Sequence, residues 1–133
     1  NIDDAHIADN KNNSPIDEPI RKDGETAYFS TLPIKALVAE LTKNNIPAAI
    51  SNTAGTFVCN HIMYETLYLS KTKFNNISAG FIHIPYIREQ VKNKPNTPFM
   101  ELEMIIDALK IIIETSAEFY QRNDIKITGG YEH

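Results

Sequence analysis

Cysteine is almost absent from this sequence: Cys59 is the only one among 133 residues. An internal disulfide is thereby excluded, which fits a reducing compartment such as the cytoplasm. Positive charge is also in short supply. Thirteen Lys and Arg stand against 17 Asp and Glu, for a net charge of −4. With no dense basic patch, a nucleic-acid surface is not expected. Long apolar runs are missing as well. Charges interrupt the strongest of them well short of the ~20 residues a membrane helix needs, so no membrane partner is expected. No signal peptide is visible at the start. His6, His61, His83 and His133 show no paired H-x-x-x-H spacing, so no metal site is expected and no cofactor is implied. There is no glycine-rich phosphate loop, which argues against a nucleoside-binding enzyme. Internal repeats and low-complexity tracts are absent.

What remains is one domain's worth of chain, 1–133, with ordinary apolar (42%) and charged (23%) fractions for a globular protein. Asn1-Ile2-Asp3-Asp4 reads like the end of a strand already under way, as if the chain began inside a longer protein. Residues 8–27 are polar and carry Pro15 and Pro19, the pattern of a long exposed arm. From Leu32 to Asn44 the pattern is helical: Pro33 suits the first turn, and Ile34, Leu37, Val38 and Leu41 share a face. Pro47-Ala48-Ala49-Ile50 then reads as a short buried strand.

Residues 51–61 organise the rest. Asn52 to Gly55 is turn chemistry, with Gly55 free to take backbone angles that other residues resist. Thr56 is a plausible N-cap for a helix over Phe57–Leu69, which is apolar nearly all round and so expected to be buried on most sides. Cys59 falls in its first turn, where unpaired N–H groups and the helix dipole favour a thiolate. A strand, a tight glycine turn and a nucleophile at a helix start follow the logic of a nucleophile elbow. Ala79–Pro85 reads as a second buried strand, bearing His83. In a parallel strand–helix–strand unit the Cys59 helix start and the His83 strand end share one sheet edge, so the two side chains are expected to meet. A last helix is expected from Pro98 to about Gln121, capped by Thr97. Its inner stripe would be Met104, Ile105, Ala108, Leu109, Ile112, Ile113 and Phe119, with Glu101, Glu103, Lys110, Glu114 and Glu118 solvated. Ile125–Thr128 resembles an edge strand. The alternation of elements predicts an α/β layered fold.

Each residue also has a blander reading. A lone cysteine is most often a small buried hydrophobe. His83 in an apolar strand suits a hydrogen-bonded core histidine, and Phe57 suits core packing. His61, two residues past Cys59 on the same helix, should point away from it and be structural. Asp3 and Asp4, adjacent in the chain, face opposite ways and fit a loop or structural role better than an acid–base pair.

Several motifs, in register, resemble one family. Residues 51–61 (SNTAGTFVCNH) are similar to the nucleophile signature of pyroglutamyl peptidase I, also called pyrrolidone-carboxylate peptidase. Residues 80–86 (GFIHIPY) resemble its histidine segment, and 1–5, 15–17 and 27–33 are similar to it in the same order, the likeness thinning after about Ile113. The resemblance implies a cytoplasmic, metal-free cysteine peptidase that removes N-terminal pyroglutamyl residues from peptides and assembles as a homotetramer. The implied fold is a three-layer α/β/α sandwich resembling purine nucleoside phosphorylases, incomplete in this chain. It implies Cys59 as nucleophile, His83 as base, Phe57 packing on the pyrrolidone ring and Ile7 as an apolar pocket residue. Two departures accompany it. The family's catalytic glutamate lies upstream of residue 1, and His6 stands where the family usually has Arg. The rival readings are an inactive fragment with a structural role, or a thiol redox sensor through Cys59, for which the chain offers no resolving cysteine.

Overall fold

The computed structural model describes residues 1–130; His133 lies outside the described residues. The chain forms two compact units. One combines residues 1–32 with 51–81, the other 33–50 with 82–133.

In the first unit, β1 (Ile2–Asp3) pairs antiparallel with β2 (Glu18–Pro19), in the register Ile2 to Pro19 and Asp3 to Glu18. The arm between them closes on itself. Ala5 N–H donates to the Pro15 carbonyl (2.8 Å), and Ser14 Oγ donates to that of Ala5 (2.8 Å). At its tip the Asp9 carboxylate accepts from the backbone of Lys11 and Asn13, an Asx turn that lets Asn12 sit at φ 62°. These bonds hold the Asp9 carboxyl below its usual pKa, the Asn13 side chain contributing most.

The helix of this unit, α2 (Val58–Thr72), lies against β1. Its inner face is Asn60, Tyr64 and Leu67, all buried. The segment 21–28 straps across it. Tyr64 Oη donates to the Glu25 carbonyl (2.6 Å), and the Tyr28 ring meets the Tyr64 ring edge-on at 5.0 Å between centroids. Arg21 lies 4.0 Å over the Tyr68 ring and pairs with Glu65 (3.2 Å) and Asp23 (3.1 Å). Lys71 pairs with Glu25. Gly24 passes so close to the helix that an added Cβ would lie 2.2 Å from Tyr64 Oη. Contrary to the expectation that α2 is buried on most sides, Val58, Ile62 and Leu69 are exposed on the face opposite Tyr64. An all-apolar helix is covered only where another element reaches it, and β1 and the strap reach one side.

In the second unit, α1 (Ile34–Lys43) packs on α3 (Leu102–Glu118). Ala36, Leu37, Leu41, Ile46 and Ile105 form its core; burying each Leu or Ile stabilises by about 1.5–3 kcal/mol. Pro33 precedes α1 and brings no capping side chain. The Asp124 carboxylate caps it instead, accepting from the N–H groups of Lys35 and Ala36, each at 2.9 Å. At the other end Asn45 takes φ 58°, with Ile46 N–H bonded to the Leu41 carbonyl (2.9 Å) and Asn45 N–H to that of Thr42 (2.9 Å). This is a Schellman closure with Asn in the glycine position.

The expected last helix begins four residues late, at Leu102. Met100 N–H is drawn to the Tyr86 carbonyl (2.9 Å), and Tyr86 and Phe99 form an isolated parallel bridge, which keeps the residues after Thr97 extended. The helix ends at Glu118, and Gln121 takes a left-handed φ of 58°. Its buried stripe is also rotated. Ile105 and Thr115 are buried, whereas Met104, Leu109 and Ile113 are exposed. The predicted strands at 47–50, 79–85 and 125–128 form no ladder among the described residues. A strand exists only where a second backbone completes its hydrogen bonds. Ala79 finds its partner in Thr31 instead, through that residue's N–H and hydroxyl.

Candidate active site

Residues 51–56 build the approach to Cys59. Ser51 Oγ donates to the Thr53 carbonyl (2.8 Å), and Gly55 N–H donates to Thr53 Oγ1 (3.0 Å). Gly55 sits at φ 79°, with nothing within 4 Å of the place its Cβ would occupy. Glycine is needed there for its backbone angle, not for room. Thr56, the expected N-cap, is used differently. Its carbonyl accepts from Asp4 N–H (2.8 Å) and its hydroxyl reaches the Asp4 carbonyl (3.4 Å), so the helix opens one residue later, on Phe57.

Phe57 is extended, and no side chain caps α2. Cys59 is the second helical residue and is half-buried. The amides of such a first turn have no intrahelical acceptor and point at whatever approaches the helix end. A thiol held beside them can attack a carbonyl whose oxygen those amides then receive. Phe57 is 41% exposed. Ile7, in the bend after β1, is 69% exposed and belongs to the same unit.

His83 belongs to the second unit, in the irregular segment before the Tyr86–Phe99 bridge, and is exposed. The parallel strands expected to carry Cys59 and His83 to one sheet edge are not formed as a ladder among the described residues. A surface groove in the second unit is lined by Asn44, Ile46, Met104, Asp107, Lys110 and Ile111, with Glu101, Glu103 and Glu114; none of the anticipated site residues lines it. Among the described residues no three His, Cys, Asp or Glu side chains cluster as metal ligands would, and no helix is long and apolar enough to cross a membrane.

Sequence reasoning missed how closely the residues beside Cys59 are tied. Asn60, 5% exposed, donates to the Ile2 carbonyl (2.8 Å). His61 Nδ1 lies 2.5 Å from Asp3 Oδ2, consistent with the structural role expected of both. The only local signal was position, next to the nucleophile candidate.

The comparisons with known proteins agree on one family. The model of the pyroglutamyl peptidase family matches residues 1–119. The pyrrolidone-carboxylate peptidase of Clostridium perfringens is 58% identical over 130 residues, covering 98% of this chain and 60% of that protein. That of Brachyspira hyodysenteriae is 63% identical over 116 residues, 87% of this chain and 58% of that protein. Among solved structures, the pyrrolidone carboxyl peptidase from Thermococcus litoralis superposes with a TM-score of 0.91 at 44% identity, covering 96% of this chain and 61% of its own. Pyroglutamyl peptidase I from Bacillus amyloliquefaciens gives a TM-score of 0.90 at 44% identity, with 96% and 60% covered. The chain thus spans about 60% of the length of the curated relatives it matches, and its fold is of the α/β class of these structures. The matched span, 1–119, includes the glycine turn, Cys59 and His83, and at this identity and coverage the conclusion is that the chain belongs to the pyroglutamyl peptidase family.

Proposed function

We propose that Cys59 and His83 serve as nucleophile and base of a cysteine peptidase that releases the N-terminal pyroglutamyl residue from peptides. The observation that carries this is the Cys59 thiol in an uncapped first helical turn, directly after a glycine turn, inside the family match. His83 takes the thiol proton as the sulfur adds to the pyroglutamyl carbonyl carbon. The oxyanion that develops is received by first-turn N–H groups; losing one such donor costs about 2.7–4 kcal/mol of barrier. As the tetrahedral centre collapses, the C–N bond breaks and His83 returns the proton to the leaving amine. Water then cleaves the thioester, releasing pyroglutamate and restoring the thiol. Pyroglutamate is an uncharged lactam, so its pocket needs apolar walls and few polar partners; the exposed rings and methyls of Phe57 and Ile7 fit that need. No cofactor or metal takes part in this scheme.

One family model crosses both units, which supports reading 1–133 as a single α/β peptidase domain. Self-association, as a tetramer, belongs to the same proposal. Leu102, Ile106, Leu109 and Ile113 recur at i, i+4, i+7 and i+11 on one face of α3, each at least 40% exposed, and a second copy offers the matching stripe. Residence in the cytoplasm, where a single thiol stays reduced, completes it. The test is hydrolysis of pyroglutamyl-coumarin by the purified chain, by Cys59→Ser and by His83→Ala. Turnover in the parent, lost in both variants, supports the reading; turnover retained in both variants overturns it.

A further inference from the structure

The residues flanking Cys59 are stitched to the start of the chain on both sides. Before it, Thr56 exchanges hydrogen bonds with the backbone of Asp4. After it, Asn60 Nδ2 donates to the Ile2 carbonyl (2.8 Å) and reaches Asp3 Oδ1 (3.4 Å), while Asn60 Oδ1 accepts from Asn1 Nδ2 (3.3 Å). Then His61 Nδ1 meets Asp3 Oδ2 at 2.5 Å. Both oxygens of one carboxylate, with its side chain only 13% exposed, thus grip two successive residues of the helix. Asn60 is itself buried, so its amide has to keep these partners: a buried polar group left unpaired costs about 1–3 kcal/mol.

Successive helical residues are turned by about 100°. Fixing the azimuth of Asn60 and His61 therefore fixes that of Cys59, whose side chain points about 100° from the first and about 200° from the second. We propose that the Asp3–Asn60–His61 clamp is a positioning device for the nucleophile. It sets the rotation of the first turn of α2 about its axis, and with it the direction in which the Cys59 sulfur projects. The inference rests on reading Cys59 as the nucleophile, and it assigns Asp3 and His61 as positioning residues that touch neither substrate nor reacting atoms.

Cys59 is the only thiol in the chain, so alkylation by iodoacetamide at pH 7 reports on it alone and does not depend on peptidase turnover. His61→Ala and Asp3→Asn each break the His61–carboxylate contact, and Asp3→Asn keeps an oxygen for Asn60. Both are expected to slow alkylation of the folded protein by about tenfold while far-UV CD and the urea midpoint show α2 intact. His61→Asn keeps an N–H donor near the position of Nδ1 and is expected to return the rate to within about twofold of the parent. Unchanged rates in His61→Ala and Asp3→Asn overturn the proposal. So does a loss that merely tracks the unfolded fraction, or one that His61→Asn fails to rescue. If the rates follow the proposal and the parent hydrolyses no pyroglutamyl-coumarin, the clamp stands and the peptidase reading falls.

Discussion

Gly24 offers the sharpest test of the strap across α2. Its φ is not in the left-handed region, so alanine suits the backbone and the whole penalty of Gly24→Ala is steric. The new methyl would lie 2.2 Å from Tyr64 Oη and 3.2 Å from Tyr64 Cζ. An exposed tyrosine would swing away, but Tyr64 is 3% exposed, bonded to the Glu25 carbonyl and wedged against Tyr28. Overpacking of this kind costs about 1–3 kcal/mol. Tyr64→Phe removes the offending oxygen and forfeits one hydrogen bond, about 0.5–1.5 kcal/mol. In that background the nearest atom is the ring edge, and the entropic benefit of alanine over glycine, about 0.4–1 kcal/mol, is recovered. Gly24→Ala should therefore destabilise the parent and be neutral or slightly stabilising in the Tyr64→Phe background. A double-mutant cycle from urea midpoints at constant m-value should give a coupling of at least about 1 kcal/mol. Equal costs of Gly24→Ala in both backgrounds would refute the packing argument.

Two further outcomes follow from the ends of the structure. Asp124→Ala should destabilise the second unit by about 0.5–2 kcal/mol, since two α1 amides lose their acceptor; Asp124→Asn should recover part of that, and no change in the urea midpoint for either would show that the cap contributes nothing. The Asp23 carboxyl is held below its usual pKa, first by the Arg21 guanidinium and then by the Tyr68 hydroxyl. A carboxylate with a lower pKa folded than unfolded stabilises above the unfolded value, about 3.9, and loses that contribution as pH falls through the folded value. The grip of the 21–28 strap on Tyr68 should thus loosen below about pH 4. NMR titration should place the Asp23 carboxyl below a model aspartate, and Tyr68→Phe should raise it; an ordinary value in the parent would refute this.

The helices were legible because their signal is local. The stripe Ile34, Leu37, Val38 and Leu41 and the closing Asn44-Asn45 pair located α1 to within two residues at either end. The apolar run after Gly55 located α2, and with it Cys59 in a first turn. Their exact starts were not legible, because remote partners compete for the boundary residues. Thr56 is taken by Asp4, 52 positions away, and Met100 by Tyr86. Strands failed for a related reason. Ala48, Ile50, Ile82 and Ile84 have the apolar character of a buried strand, but a ladder is a property of two segments, and apolarity reveals only one of them. The rotation of α3 was misjudged because its apolar residues fill two adjacent faces, and periodicity does not say which of them α1 will cover.

The order of residues alone determined where helices run, that a left-handed turn needs Gly55, that a thiol opens α2, and to which family the chain belongs. Those follow from steric rules and spacings that act within a few residues, and from motifs read directly. Tertiary structure alone decided that Asp124 caps a helix 88 residues upstream and that Asp3 grips His61 across 58 positions. It also decided which side of α2 is covered. Each of these depends on closing a long loop, whose entropic cost rises only slowly with its length. The partner is therefore chosen by the geometry of the assembled unit, not by proximity along the chain.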